Sequence, residues 1–330
     1  MMKILLTGST GFVGRRLTSY ILEKTDAILS LSERNDSDKK ACVRACNHRV
    51  TIVRIGNISS DTCWNEALVG CDVVIHAAAR VHVMDESERD PVAKFREVNV
   101  EGTLNLARQA VLAGARRFIY LSSIKVNGEY TQSGARFTPH DVAKPEDPYS
   151  VSKFEAEQGL MELAEKSQME VVIVRPPLVY GPGVKGNFLR MMHLLKKGMP
   201  LPLGALNRNK RSFVSVDNLV SFVTTCISHP EAANQIFLVS DDDDLSTTDL
   251  LKKIQKLLGY RFLLLPIPRW LLIIVATFLG KKAEVMRLSN SLQVDISKSL
   301  RLLNWKPIES VDDALSRTVH EFISKNRQDL

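Results

Sequence analysis

From Lys3 to Arg175 the chain alternates short apolar runs with stretches whose apolar residues recur every three or four positions. The runs KILLTG (3–8), AILSL (27–31), TIVRI (51–55), DVVIHAAA (72–79), RFIYLSS (117–123) and EVVIVRP (170–176) are short and largely β-branched or aromatic, which predicts strands. Phe12, Val13, Leu17, Tyr20 and Ile21 share one face of a helix between the first two runs, and Val98 to Leu112 supply another helix. Strands that alternate with helices predict an α/β fold, a parallel sheet covered on both faces. Beyond Arg175 the pattern breaks up. Pro176, Pro177, Pro182, Pro200 and Pro202, with Gly181, Gly183, Gly186 and Gly204, mark loops and short elements of a smaller C-terminal lobe. The expected division is 1–175 for the sheet domain and 176–330 for the second lobe, with part of 213–240 returning to the sheet.

Composition narrows the class. A chain of 330 residues has room for about two domains, and 45% apolar with 25% charged residues is ordinary for a globular protein. The net charge of +7 is spread among acids and accompanies no nucleic-acid motif, so no nucleic-acid partner is expected. Five cysteines without CxxC spacing predict free thiols; Cys42, Cys46 and His48 match no common zinc pattern, and no metal is expected. The start MMKILLTG has no charged, apolar and cleavage regions of a leader, so a cytoplasmic location is expected. WLLIIVATFLG (270–280) is too short for the ~20 residues a spanning helix needs; Arg269, Lys281 and Lys282 flank it, which leaves shallow membrane contact open, and a buried helix or subunit contact is the expected reading. DDDDLSTTDLL (241–251) reads as a helix start, with STTD as its capping box.

Two motifs carry chemistry. TGSTGFVG sets Gly8, Gly11 and Gly14 three apart, directly after a strand and at the opening of a helix. Glycines there let backbone N–H groups approach a pyrophosphate, with Thr10, Phe12 and Val13 completing the turn. YSVSK places Tyr149 one helical turn before Lys153, so that an ammonium can lower a phenol whose ordinary pKa is about 10. Tyr20 and Lys24 repeat the spacing late in the first helix, away from the glycine turn, where packing and solvation account for them. Ser123, at the end of FIYLSS, could hydrogen-bond the same substrate oxygen as Tyr149.

TGSTGFVG, DVVIHAAA, NVEGTLNL (99–106), YLSSIKVNG (120–128) and YSVSK, followed by RPPLVYGPG (175–183), KRSFVSVDNL (210–219) and LQVDISKSLRLLNWKP (292–307), jointly resemble the extended short-chain dehydrogenase/reductases, in their nucleotide-sugar branch. The resemblance implies a Rossmann-type doubly wound parallel sheet as the NAD(P)-binding domain, a smaller C-terminal substrate-binding lobe for the sugar nucleotide, a UDP-sugar substrate, and a homodimer through paired helices. It implies Tyr149 as proton donor or acceptor, Lys153 as its pKa modifier and ribose ligand, and Ser123 as orienter of the substrate oxygen. Arg211 and Asn187 are candidates for the nucleotide diphosphate, Asn57 and Ile58 for the adenine, and Ala77 for the cofactor beside the fourth strand. Asn99 falls near the active site, where a capping or buried amide is an equal reading; His76 and His82 read as local hydrogen-bonding residues. Counting from the glycines puts Ser32 where NAD-binding members carry an acid, and Arg34 could meet a 2′-phosphate, so NADP(H) is preferred, with NAD(H) still open through Glu33.

Ile124 and Lys125 stand where 4,6-dehydratases need an acid–base pair, which excludes that chemistry. The resemblance within the branch runs to UDP-N-acetylquinovosamine dehydrogenases of surface-polysaccharide (O-antigen, lipopolysaccharide) synthesis, which are similar to UDP-glucose 4-epimerases. It implies reduction at C4 of a UDP-4-keto-6-deoxy-N-acetylhexosamine. The alternatives are a 4-epimerase of UDP-glucose or UDP-N-acetylglucosamine with tightly bound NAD, and a non-catalytic NADP-binding sensor.

Overall fold

The computed structural model describes residues 1–34, 48–81, 91–259 and 262–328. Cys42, Cys46 and His82 lie outside the described residues. Among the described residues there are nine strands: β1 (Lys3–Thr7), β2 (Ile28–Arg34), β3 (Val50–Ile55), β4 (Val73–His76), β5 (Arg117–Leu121), β6 (Glu170–Arg175), β7 (Leu178–Tyr180), β8 (Phe213–Ser215) and β9 (Gln235–Leu238). Seven form one parallel sheet in the order β3-β2-β1-β4-β5-β6-β9, and β7 and β8 pair separately. The expected doubly wound sheet is therefore what the chain forms, with the six sequence-read strands in it.

The pleat explains why these strands are apolar throughout. Successive side chains point to opposite faces, and both faces are covered. Ile4, Leu6, Leu29, Leu31, Val73, Ile75 and Ile119 meet Leu17 and Ile21 of the helix Phe12–Lys24 and Leu219, Phe222 and Val223 of the helix Val216–Cys226. The intervening Leu5, Val74, Phe118 and Tyr120 meet Leu106 and Ala110 of the helix Gly102–Leu112 and Ala156 and Leu160 of the helix Pro148–Glu165. A third core joins Phe188, Met192, Leu251 and Ile254 to Ala314, Leu315 and Val319 of the last helix, Val311–Gln328.

The strand order reverses direction at β1, between β2 and β4, which opens a crevice at the carboxyl ends of β1 and β4. The helix read as starting at Val98 is longer. A helix over Pro91–Arg96 runs through a π-helical turn, Glu97–Glu101, into Gly102–Leu112.

The segment 270–280 is not the buried helix that was one of its two expected readings. It forms the helix Arg269–Phe278, but only Leu272 and Ala276 are buried, while Trp270, Ile274, Val275 and Phe278 face solvent. Ten residues of helix resting on one narrow stripe cannot bury an apolar surface that runs all the way round. Among the described residues no helix is long and apolar enough to cross a membrane, and no group of three or more His, Cys, Asp or Glu side chains is placed to hold a metal ion. Cys63, Cys71 and Cys226 are free thiols.

Candidate active site

The glycine turn closes on itself between β1 and the helix Phe12–Lys24. Gly8 has φ of +71°, and a Cβ there would fall 2.8 Å from the Ala78 nitrogen and 2.9 Å from the Ala77 carbonyl. A Cβ on Gly14 would fall 2.0 Å from the Gly8 carbonyl oxygen, so no side chain fits. Gly11 N–H donates to that same oxygen at 2.9 Å. The helix begins at Gly11 with no side-chain cap and no acid in its first turn, so its N-terminal N–H groups and positive dipole end face the turn uncancelled. This cradle fits the pyrophosphate of a dinucleotide.

At the neighbouring end of β2, Ser32 and Glu33 point to opposite sides of the strand. Ser32 is buried and its hydroxyl has no hydrogen-bond partner among the described residues. Glu33, on the opposite side of the strand, brings Oε1 to 3.5 Å from the Ser9 hydroxyl in the glycine turn. Arg34 is exposed at the strand's last position, and Asn57 is exposed just beyond β3. Ile58 packs against Gly102, where a Cβ would fall 2.5 Å from its Cγ2.

The helix carrying YSVSK is strongly specified at its start. Asp147 caps it, accepting from the Ser150 N–H at 2.7 Å while the Ser150 hydroxyl closes a capping box, and Pro148 occupies the first turn. Lys153 is 1% exposed, with its Nζ 4.2 Å from the centroid of the Tyr120 ring. Tyr120 stacks on His76 at 5.9 Å, and His76 Nδ1 shares a 2.7 Å hydrogen bond with the Thr7 hydroxyl while Nε2 lies 3.0 Å from that of Thr103. Lys153 is thus linked through Tyr120, His76 and Thr7 to the carboxyl end of β1, one residue before Gly8. His76 is the local hydrogen-bonding residue the sequence implied. Burial, aided by Lys153, lowers it to about 3, so the ring is neutral.

Asn99 lies in the π-helical turn. Its amide donates to the Arg80 carbonyl and the Ser152 hydroxyl, both at 3.0 Å, and its Oδ1 accepts from the Arg80 N–H at 2.8 Å. It ties the segment after β4 to the helix of Tyr149. Ser123 caps a short 3₁₀ turn and retains exposed surface; its neighbour Ser122 is buried with an unpartnered hydroxyl among the described residues.

Lys125, Glu129 and Asp147 form a charged chain that the sequence reading did not assemble. The Lys125 backbone N–H donates to the Ser123 hydroxyl at 3.3 Å, and its ammonium pairs with Asp147 at 2.5 Å and Glu129 at 2.8 Å. Glu129 in turn acts electrostatically on Arg211, whose guanidinium is lowered by burial. Ser123, Asp147 beside Tyr149, and Arg211 therefore border one charged seam. The Lys125–Glu129 spacing was visible as an i, i+4 pair; Asp147 was not, because its partner is 22 residues away. Arg211 Nη1 donates to the Arg287 and Asn290 carbonyls at 2.6 and 3.2 Å. Asn187 is exposed in the first turn of the helix Gly186–Lys196. Asn127 is buried, donating to the Thr138 carbonyl and accepting from Arg175, so it serves the core.

The electrostatics depart from expectation. Burial, with Asp147 adding to it, raises the Tyr149 phenol to about 12. Burial lowers Lys153 to about 7 against the opposing pull of Glu157. Burial and the Asp147 charge both act against the phenolate, so these groups do not bring Tyr149 toward neutral pH. Burial alone would raise Asp147, but Lys125 and the Ser150 N–H hold its carboxyl well below the usual range.

Comparisons with known proteins agree with this architecture. A "UDP-glucose 4-epimerase" from Vibrio cholerae is 45% identical over 325 residues, covering 98% of this chain and 97% of that protein. An "N-acetyl-alpha-D-glucosaminyl-diphospho-ditrans,octacis-undecaprenol 4-epimerase" from Escherichia coli O157:H7 is 26% identical over 342 residues, covering 99% and 97%. The crystal structure of a UDP-glucuronic acid 4-epimerase from Bacillus cereus in complex with NAD superposes with a TM-score of 0.78 at 20% identity, covering 98% of this chain and 99% of that one. Residues 4–240 match the family described as the NAD dependent epimerase/dehydratase family, and the chain belongs to it.

Proposed function

We propose that this protein is a 4-epimerase of a UDP-linked hexose, with NAD as its dinucleotide. The observation that carries the reading is Tyr149 and Lys153 on one capped helix, with Lys153 joined through Tyr120, His76 and Thr7 to the glycine turn. The Vibrio cholerae relative, similar over nearly the whole of both chains, supports the reaction type.

Gly8, Gly11 and Gly14 hold the pyrophosphate against the helix N-terminus, and Glu33 accepts from the adenosine ribose hydroxyls. A bound nicotinamide dinucleotide supplies the hydride acceptor and donor. Tyr149 takes the proton of the sugar's C4 hydroxyl and later returns one to the same oxygen. Lys153, which burial lowers to about 7, would stabilise the phenolate, and a bound oxidised nicotinamide would add a positive charge acting in the same direction. Ser123 hydrogen-bonds the C4 oxygen and fixes its position, and Arg211 and Asn187 meet the diphosphate. Because the carbon is oxidised and then reduced, no net dinucleotide is consumed.

The test is incubation of purified protein with UDP-glucose, without added dinucleotide, while NMR follows the C4 configuration. Expected are UDP-galactose and NAD released on denaturation, with Tyr149→Phe slower by roughly 10²–10⁴-fold. Glu33→Gln should reduce the preference for NAD over NADP by about 10–100-fold, the worth of a charge-assisted hydrogen bond. A second reading is reduction of a UDP-4-keto-6-deoxy-N-acetylhexosamine by NADPH, favoured by Arg34 at the exposed end of β2. Stoichiometric loss of NADPH absorbance with the 4-keto sugar, and no turnover of UDP-glucose, would establish it instead.

A further inference from the structure

We propose that the helical hairpin spanning residues 269–289 is a membrane-docking element that seats on an anionic bilayer surface without crossing it. The first helix, Arg269–Phe278, presents Trp270, Ile274, Val275 and Phe278 to solvent, and Leu279 follows at the tip. Phe278 is 87% exposed and Trp270 64%, at a position where burial would be the normal fate of such side chains. Trp270, Ile274 and Phe278 are spaced four apart, so they form one stripe along the helix. Gly280, with φ of +67°, turns the chain into the second helix, Lys282–Ser289.

Charge selects the occupant. Within 269–289 the basic residues are Arg269, Lys281, Lys282 and Arg287 and the sole acid is Glu284, a net charge of four minus one, or +3. A second copy of this face would bring like charges together, whereas anionic headgroups complement them. An apolar stripe with a tryptophan, bordered by lysines at the level of its tip, is the pattern of a helix lying in the interfacial layer. At ten residues the helix is about half what a span requires.

The hairpin is anchored at its root. The Thr247 hydroxyl and the Asn209 amide donate to the Leu288 carbonyl at 2.6 and 3.1 Å, Arg211 donates to the Arg287 carbonyl, and Arg269 donates to Asn290 Oδ1 at 2.6 Å. Docking would therefore fix the orientation of the Arg211 loop relative to the membrane. This inference does not depend on the reaction assigned to Tyr149.

The chain reports on it directly. Of its three tryptophans, Trp64 and Trp305 are buried, so a change in emission on adding vesicles comes from Trp270. The full-length protein is titrated with phosphatidylcholine vesicles containing or lacking phosphatidylglycerol, and flotation is measured in parallel. Expected are a blue shift and co-flotation with the anionic vesicles, both weakened by high salt. The double variants Phe278→Ser/Leu279→Ser and Lys281→Glu/Lys282→Glu should each lower vesicle affinity at least about tenfold, with unchanged melting temperature and sugar-nucleotide turnover. Absence of anionic-vesicle binding by the wild type, or variants that bind equally well, would overturn the proposal. So would a mass that rises with protein concentration and is abolished by the Phe278 variant, which would assign the face to a second copy.

Discussion

Lys153 illustrates how a functional residue is held at a cost to the fold. It is almost fully buried beside the Tyr120 ring, and burial lowers it from 10.5 to about 7. Between those two values the folded protein binds fewer protons than the unfolded chain at this site, so raising the pH through that window adds stability. Below about pH 7 the ammonium is buried at its full cost. Lys153→Met is therefore expected to abolish turnover yet stabilise the protein at pH 6 by roughly 1–4 kcal/mol, with the advantage shrinking toward pH 10. Thermal melts of both proteins across that range check it. Arg175 and Glu157 make the opposite case: they pair bidentately in the core, and Arg175 also donates to Asn127. Removing Arg175 leaves a buried carboxylate alone, and Arg175→Ala should cost about 3–5 kcal/mol in a denaturant melt.

Among the elements, the helix of Tyr149 shows how local rules serve chemistry. Asp147 caps it and, through its charge, helps raise the phenol. Asparagine caps as well as aspartate, so Asp147→Asn should keep the helix while lowering the Tyr149 pKa. The limb of the pH–rate profile that reports the phenolate is expected to move to lower pH, with the melting temperature within a few degrees of wild type. The glycine turn has less latitude. A methyl group on Gly14 collides with the Gly8 carbonyl, and backbone cannot yield as a side-chain end would. Gly14→Ala should lose dinucleotide binding and lower the melting temperature. Gly159→Ala instead meets the flexible end of Leu104 and should cost only about 1–3 kcal/mol.

At the scale of the whole molecule, the second half of the chain completes the first. β9 pairs with β6, and Leu219, Phe222 and Val223 of the helix Val216–Cys226 cover one face of the sheet. Leu292, Val294 and Trp305 join the same core, and Trp305 packs on Phe222 at 5.0 Å. Asp217 accepts from both Arg16 and Arg317, joining the first and last helices through the Val216–Cys226 helix. A fragment ending at Arg175 would keep only the helix Phe12–Lys24 on that face and leave the rest uncovered, and we expect it to aggregate or show no cooperative melt by circular dichroism.

The first six strands, the glycine turn and the helix of Tyr149 were readable from the sequence because each is local: a run of apolar residues, a three-residue glycine spacing, a four-residue Tyr–Lys spacing. Parallel strands buried on both faces leave an uninterrupted apolar signature, and glycines that admit no Cβ leave a fixed interval. Three matters were settled only when distant segments met. Which residue at the end of β2 faces the glycine turn depends on strand pleat, and that favours Glu33 over Ser32. The direction in which Tyr149 shifts depends on how deeply the fold buries it and on Asp147 nearby, and both raise the phenol where spacing alone had suggested a lowering. Whether the apolar segment 270–280 is covered depends on what packs over it, and only Leu272 and Ala276 found such cover. Periodicity specifies an element and its faces, whereas burial, and with it every pKa and every exposed surface, is a property of the assembled chain.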